Sequence, residues 1–158
     1  MSSQQQIIET FYQCFSRRDA AGMHACYSDD IIFQDPAFGR LHGDEVRAMW
    51  QMLCEQARDF SLTYGPVVII DEEYATCEWV ANYTFSKTGN KITNRIKAFM
   101  RIQDGKIIEH SDAFKLSTWI GQALGWKGVL FGWTGFMKRA VQRRARQSLQ
   151  NYMEKRNS

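Results

Sequence analysis

Lys97, His110 and Asp112, together with an Asp35 that precedes Pro36, are the side chains whose types and spacing could move a proton. Asp104-Gly105 has the composition of a two-residue hairpin turn. In that register residue 103 faces residue 106, Lys97 lies opposite Asp112 and Phe99 lies opposite His110. Alternation along the strands then sets Arg95, Lys97 and Phe99 on one face with His110, Asp112 and Phe114. Ile96, Ala98 and Met100 take the other face with Ser111 and Ala113. A carboxylate in an apolar cavity has its pKa raised toward neutrality, whereas a nearby ammonium keeps it ionised as a base; the ammonium could instead stabilise an oxyanion. The plainer alternative is that Lys97 and Asp112 only neutralise one another across the strands, worth roughly 0.2–1 kcal/mol. His110 beside Phe99 then serves as a hydrogen-bonded packing residue.

Other chemistries find less support. His110 and Asp112 share a face but only Asp35 offers a third ligand, so no metal is expected. The glycines at 121, 125, 128, 132 and 135 lack the Gly-Lys-Ser/Thr arrangement of a phosphate loop and do not follow a strand. No cofactor is expected. Cys14, Cys26, Cys54 and Cys77 are far apart and form no C-x-x-C spacing, which reads as buried thiols in a reducing, cytoplasmic compartment. A polar start followed by a periodic helix is not a secretory signal, and no run of about 18 apolar residues occurs.

The elements that must position these residues are legible from periodicity. A chain of 158 residues, 44% hydrophobic and 13% aromatic, can build one sizeable core. Ile7, Ile8, Phe11, Tyr12 and Phe15 recur at helical spacing over residues 3 to 17, with Ser3 and Gln6 as a capping box. Asp19 caps a short helix carrying Ala20, Met23 and Tyr27, ended by Ser28-Asp29-Asp30. Ile31-Ile32-Phe33 is a short strand running into Asp35-Pro36 and a loop with Gly39 and Gly43. Asp44 caps a third helix whose stripe is Val46, Met49, Trp50, Leu53 and Ala57. The period then changes to two, giving strands near 60–70, 74–86, 91–103 and 106–116 in an antiparallel meander. Helices followed by a curled antiparallel sheet make an α+β fold, with the N-terminal helices on the concave face.

The order of elements from Ile7 to Gly43, with Ile31-Ile32-Phe33-Gln34-Asp35-Pro36 at its end, resembles the opening of ketosteroid isomerase and of SnoaL-like polyketide cyclases. Phe99-Met100-Arg101-Ile102 through Gly105-Lys106-Ile107-Ile108 is similar to their last hairpin. The resemblance covers residues 5 to 116 and implies the cone-shaped, cystatin-like fold of nuclear transport factor 2. It also implies that the face bearing His110 and Asp112 is concave and that Asp35 leans over it. Asp35 matches the isomerase's general base, but the oxyanion tyrosine falls on Phe11, one position from Tyr12, and the assisting aspartate falls on Lys97. Limonene epoxide hydrolase, of the same fold, has an Arg-x-Asp where this chain has Arg95-Ile96-Lys97, and an aspartate where it has Asp112. SnoaL-like cyclases place an acid/base aspartate on the last strand, again at Asp112. The resemblance thus implies a catalytic set of Asp35, Lys97 and Asp112, with Tyr12, Trp50, Arg95, Phe99, His110 and Phe114 lining a pocket for a small apolar, carbonyl or polyketide-like ligand. The second reading is a non-catalytic ligand-binding or dimerisation module.

Residues 1–117 form this domain and 118–158 an extension of it. Thr118 to Gly125 is a short helix ended by glycine, followed by an aromatic loop, Trp126 to Phe136, with a home across the cone's mouth or against another subunit. Phe136 to Lys155 is an amphipathic helix with Met137, Val141, Ala145, Leu149 and Tyr152 along one side. From Phe136 onward seven Lys/Arg stand against one Glu, which leaves the rest of the +3 chain acidic. Docking on the domain, with solvated arginines, is the first reading of that helix; a membrane surface is the second and nucleic acid the weakest. An outer sheet face of Ile96, Ala98, Met100, Trp79 and Tyr83 would form a homodimer.

Overall fold

The computed structural model describes residues 1–158. Three helices come first: α1 (Ser3–Ser16), α2 (Ala20–Cys26) and, after the hairpin of β1 (Tyr27–Asp35) with β2 (Gly39–His42), α3 (Asp44–Gln56). Ser2 rather than Ser3 caps α1, its hydroxyl accepting from the Gln5 amide at 3.1 Å, so the helix begins a residue earlier than a Ser3 cap would set it. Asp19 caps α2 as expected, accepting from the Gly22 amide at 3.0 Å. Gly43, with φ of 56°, occupies the cap position of α3, which leaves Asp44 and Glu45 inside its first turn. The Ser28-Asp29-Asp30 stretch is not a turn but the edge of β1, which starts at Tyr27, and the expected glycine loop contains β2.

The remaining strands are β3 (Ser61–Tyr64), β4 (Val68–Ile69), β5 (Tyr74–Thr84), β6 (Lys91–Gln103) and β7 (Lys106–Ala113). Gly65-Pro66 divides the expected 60–70 strand in two. The sheet runs β2-β1-β7-β6-β5-β3, with β4 on β5. Its one parallel pairing, β1 with β7, sets Phe33 beside His110 and brings the Asp35 end of β1 to the Asp112 end of β7. The same end of the sheet holds the start of β6 and the end of β5.

Phe11, Tyr12 and Phe15 of α1, Met49 and Trp50 of α3, and Ala75, Cys77, Trp79, Ile96, Ala98 and Met100 of the sheet share one core. All four cysteines are free and buried in or beside it. The extension forms α4 (Leu116–Leu124), α5 (Trp126–Phe131) and α6 (Gly135–Asn157), so the expected aromatic loop is largely helical. No helix is long and apolar enough to cross a membrane. α6 docks by its apolar side: Leu149 is buried, Tyr152 donates to Glu55 at 2.8 Å, and Arg156 pairs with Asp44 at 2.6 Å. Its Gln142 and Arg146 donate to the carbonyls of Pro36 and Phe38 at 2.9 and 3.0 Å, latching the helix over the turn that follows Asp35.

Candidate functional site

The site is built by a β-bulge that the hairpin rule does not foresee. At the turn, Gln103 faces Lys106 and Ile102 faces Ile107 as expected; beyond it Arg101 faces Glu109, Met100 faces His110 and Ala98 faces Asp112. Ile108 is the extra residue, and it moves every later pair by one. Its physical reason is the alternation itself. Without a bulge, the β7 residues sharing a face with Ile107 would be Glu109 and Ser111, burying a carboxylate against Met100. With it, Ile107, His110 and Asp112 all face inward, and Glu109 turns outward to the Arg101 guanidinium, 3.6 Å away.

Two expectations are corrected by this register. Lys97 faces Ala113, not Asp112, and points outward with Arg95 and Phe99; its ammonium sits 5.4 Å from the exposed Phe99 ring. Ile96, Ala98, Met100 and Trp79 are core residues, so the apolar outer face expected to support a homodimer is in fact the inner one.

Inside the cone, five side chains form a buried hydrogen-bond relay. Trp50 Nε1 donates to the Tyr27 hydroxyl at 2.9 Å, and the Tyr27 oxygen lies 2.7 Å from His110 Nδ1. His110 Nε2 lies 2.9 Å from Asp112 Oδ1, which also accepts from Trp79 Nε1 at 3.4 Å. One proton arrangement satisfies every member: Tyr27 donates to Nδ1, and Nε2 carries the hydrogen that goes to Asp112. Phe11 and Phe33 pack edge-on against the imidazole, and Trp50 stacks on it. Burial, reinforced by the Asp112 carboxyl, pushes the Tyr27 phenol well above its ordinary pKa.

Asp35, only half-buried, closes the outer end of this arrangement. Its Oδ1 accepts from the amides of Ala37 and Phe38 at 2.9 and 2.6 Å, an Asx turn set by Pro36, while no protein group bonds to Oδ2. Burial pushes the Asp35 carboxyl up to about 7, against the pull of the Phe38 amide and with a further push from Asp112. Tyr12 is the complementary feature: fully buried, with a hydroxyl that meets no hydrogen-bond partner. Its phenol is also raised well above the ordinary value, by burial first and the Asp112 carboxyl second. Asp112 is therefore within electrostatic reach of both Asp35 and Tyr12.

Residues 8–110, well over half of the chain, match the profile of the SnoaL-like domain. The chain belongs to the SnoaL-like family. Its fold is similar to that of an NTF2-like protein from Burkholderia pseudomallei (TM-score 0.68, 23% identity, covering 78% of this chain and 98% of the other). A candidate polyketide cyclase from Silicibacter (TM-score 0.64, 21% identity, 74% and 92% covered) is similar too. So is an epoxide hydrolase of the LEH-like kind from M. tuberculosis (TM-score 0.64, 16% identity, 81% and 92% covered). Identities this low carry the fold and not the chemistry. No curated protein matches the sequence.

Within the SnoaL-like domain, then, Asp35, Asp112, Tyr12, Trp50 and His110 gather on the interior, Phe114 is half-buried at its rim, and Lys97, Arg95 and Phe99 lie on the opposite side of the sheet. Tyr27, Trp79, Tyr83 and Asn94 were not foreseen in the site. Tyr27 reads as the end of a helix, and the hairpin register expects Trp79 and Tyr83 on the outer face. Asn94 pairs with buried Ala81 and so shares the inward side of β6. Tyr83, close enough to Asp35 to feel its charge, accepts from Trp119 Nε1 of α4 at 2.7 Å. Burial raises its phenol as well. α4 thereby lies across the mouth beside Asp35. Hollows of about 330 Å³ between α2 and α3 and about 430 Å³ beside α6 are lined by neither Asp35 nor Asp112. No three His, Cys, Asp or Glu side chains gather closely enough to hold a metal ion.

Proposed function

We propose that this SnoaL-like domain binds a small, largely apolar carbonyl or polyketide-like compound at the Asp35 end of the cone and moves a proton on it. The observation that carries this reading is an Asp35 carboxyl raised to about 7 with Oδ2 free, set at the edge of an apolar interior. A general acid/base works best when its pKa lies near the operating pH, because both protonation states are then populated. Asp112 differs: two N–H donors fix it as an acceptor, so the two carboxyls have environments that separate their roles.

In this mechanism Asp35 Oδ2 takes a proton from the carbon next to a carbonyl and returns it at a second carbon. The charge that develops on the carbonyl oxygen needs a donor, and the unpartnered Tyr12 hydroxyl is the free one inside the cone. His110 and Tyr27 are positioning residues that hold Asp112. Lys97 has no part, because it lies outside.

A panel of small ketones incubated in D2O tests this by loss of the proton signals next to the carbonyl. Wild type should exchange at least one member, Asp35→Asn should slow that exchange by on the order of 100-fold, and Lys97→Ala should leave it unchanged. Exchange equal in wild type and Asp35→Asn would refute the assignment. The filled, hydrogen-bonded interior favours a second reading, a non-catalytic binding module. That reading would be supported by ketones that shift protein resonances around Asp35 without exchanging.

A further inference from the structure

The surface of α5 and the start of α6 inverts the usual order of an amphipathic helix. Trp126, Val129, Leu130 and Trp133 follow at i, i+3, i+4 and i+7, a spacing that ordinarily marks the face turned to the core. Here they are 68%, 70%, 55% and 71% exposed, and Phe136, next along, is 72% exposed. The face turned inward is made of glycine. A Cβ at Gly128 would run into the Ile120 carbonyl, and one at Gly132 into the Gly128 carbonyl and the Ile120 side chain. Contact of α5 with α4 is backbone to backbone, which leaves its bulky residues no direction but outward.

The charge around this stripe has one sign. Between Asp112 and Glu154 the chain carries seven Lys and Arg residues and no acid. Lys127 sits 5.6 Å from the Trp126 ring, and Lys138 and Arg139 follow Phe136 after Met137. Aromatic and aliphatic side chains ringed by cations match the layers of a lipid surface, with rings at the level of the headgroups and cations at the phosphates. Nucleic acid would not use Val129 and Leu130, which offer neither charge nor a stacking face.

We propose that the α5 stripe and the cationic start of α6 dock this protein on an anionic phospholipid bilayer. The stripe enters the interface while α6 remains latched to the domain through Gln142, Arg146 and Arg156. Docking is peripheral, since α5 is a helix of 6 residues, under about two turns and far short of a membrane span.

The test is co-sedimentation of the full chain with vesicles of phosphatidylcholine, alone or with about 30% phosphatidylglycerol, at about 0.1 M salt. The anionic vesicles should carry down at least roughly tenfold more protein. Brominated acyl chains should quench the emission of Trp126 and Trp133, because Trp50 and Trp79 are buried in the core and Trp119 is half-buried against Tyr83. Combining Trp126→Ser, Trp133→Ser and Phe136→Ser should lower partitioning by on the order of 100-fold at an unchanged urea midpoint. Gln in place of Lys127, Lys138 and Arg139 should lower it by on the order of 100-fold. Absence of binding to anionic vesicles overturns the proposal, as does undiminished binding by the Ser variant. Concentration-dependent self-association that the Ser variant abolishes, without vesicle binding, would assign the stripe to a second copy of the chain and overturn it too.

Discussion

Replacing Asp35 by Asn should make the protein more stable at alkaline pH and leave it nearly unchanged in acid. Asp35 titrates at about 7 in the folded chain against 3.8 for the free side chain. Between those values the folded state holds a proton that the unfolded state has released, so stability falls as pH rises, by about 1.4 kcal/mol per unit at most. The ionisation penalty is absent below about pH 4 and complete above the folded value. Integrated over the whole range it is about 4 kcal/mol, of which some 2.5 kcal/mol falls between pH 5 and 8. Residual contact of Asp35 with solvent reduces this, and about 1–2.5 kcal/mol is the expected observable. Asn keeps an oxygen for the Ala37 and Phe38 amides, so the turn after β1 survives while the titration is removed.

Urea denaturation of both proteins, followed by tryptophan fluorescence from pH 5 to 8, reads this directly. The variant should gain on the wild type as pH rises and level off above pH 8. A difference constant within about 0.5 kcal/mol across the range, or one that runs in favour of the wild type at high pH, would refute the claim that burial raises Asp35.

The relay and the α4–α5 contact each carry a further expectation. Tyr27→Phe leaves the Trp50 N–H and His110 Nδ1 without partners in the core and should cost about 2–4 kcal/mol in urea denaturation; a loss below about 0.5 kcal/mol would mean the relay is not held by Tyr27. Gly128→Ala pushes a Cβ into the Ile120 carbonyl and should cost about 1–3 kcal/mol. It should also open α5 to limited proteolysis ahead of the sheet, and an unchanged cleavage pattern would contradict the close backbone approach.

The α+β order, the three N-terminal helices and the three long strands β5, β6 and β7 are legible because each rests on local periodicity. The aromatic segment was less so: its stripe at 126, 129, 130 and 133 is helical in spacing, but glycines at 125, 128 and 132 argue for a loop until their packing against Ile120 is seen. The glycines there are contact surface, not breakers. Tyr27 reads from sequence as a helix terminus because nothing local distinguishes the last turn of α2 from the first residue of β1. Its place beside His110 depends on the parallel pairing of β1 with β7, a long-range contact with no signature in either segment.

The face of β6 is the more instructive case, because the sequence contains the answer and a second rule masks it. Ile92, Ile96, Ala98, Met100 and Ile102 alternate with Thr93, Arg95, Lys97, Arg101 and Gln103, so by alternation alone the even positions are the core. An unbroken hairpin at Asp104-Gly105 would then turn His110 and Asp112 away from that core. Requiring those two residues to face inward reverses β6 and brings Lys97 in with them. Both demands are met only if one strand slips by one residue, and Ile108 is that slip. The bulge shapes the electrostatics of the interior: the cationic positions of β6 go to solvent, Asp112 is left with the N–H groups of His110 and Trp79 as its donors, and Asp35 has a second carboxyl near it with no lysine beside it. Burial first, and the Asp112 carboxyl after it, raise that acid to about 7, whereas an ammonium at the same depth would have held it ionised and low.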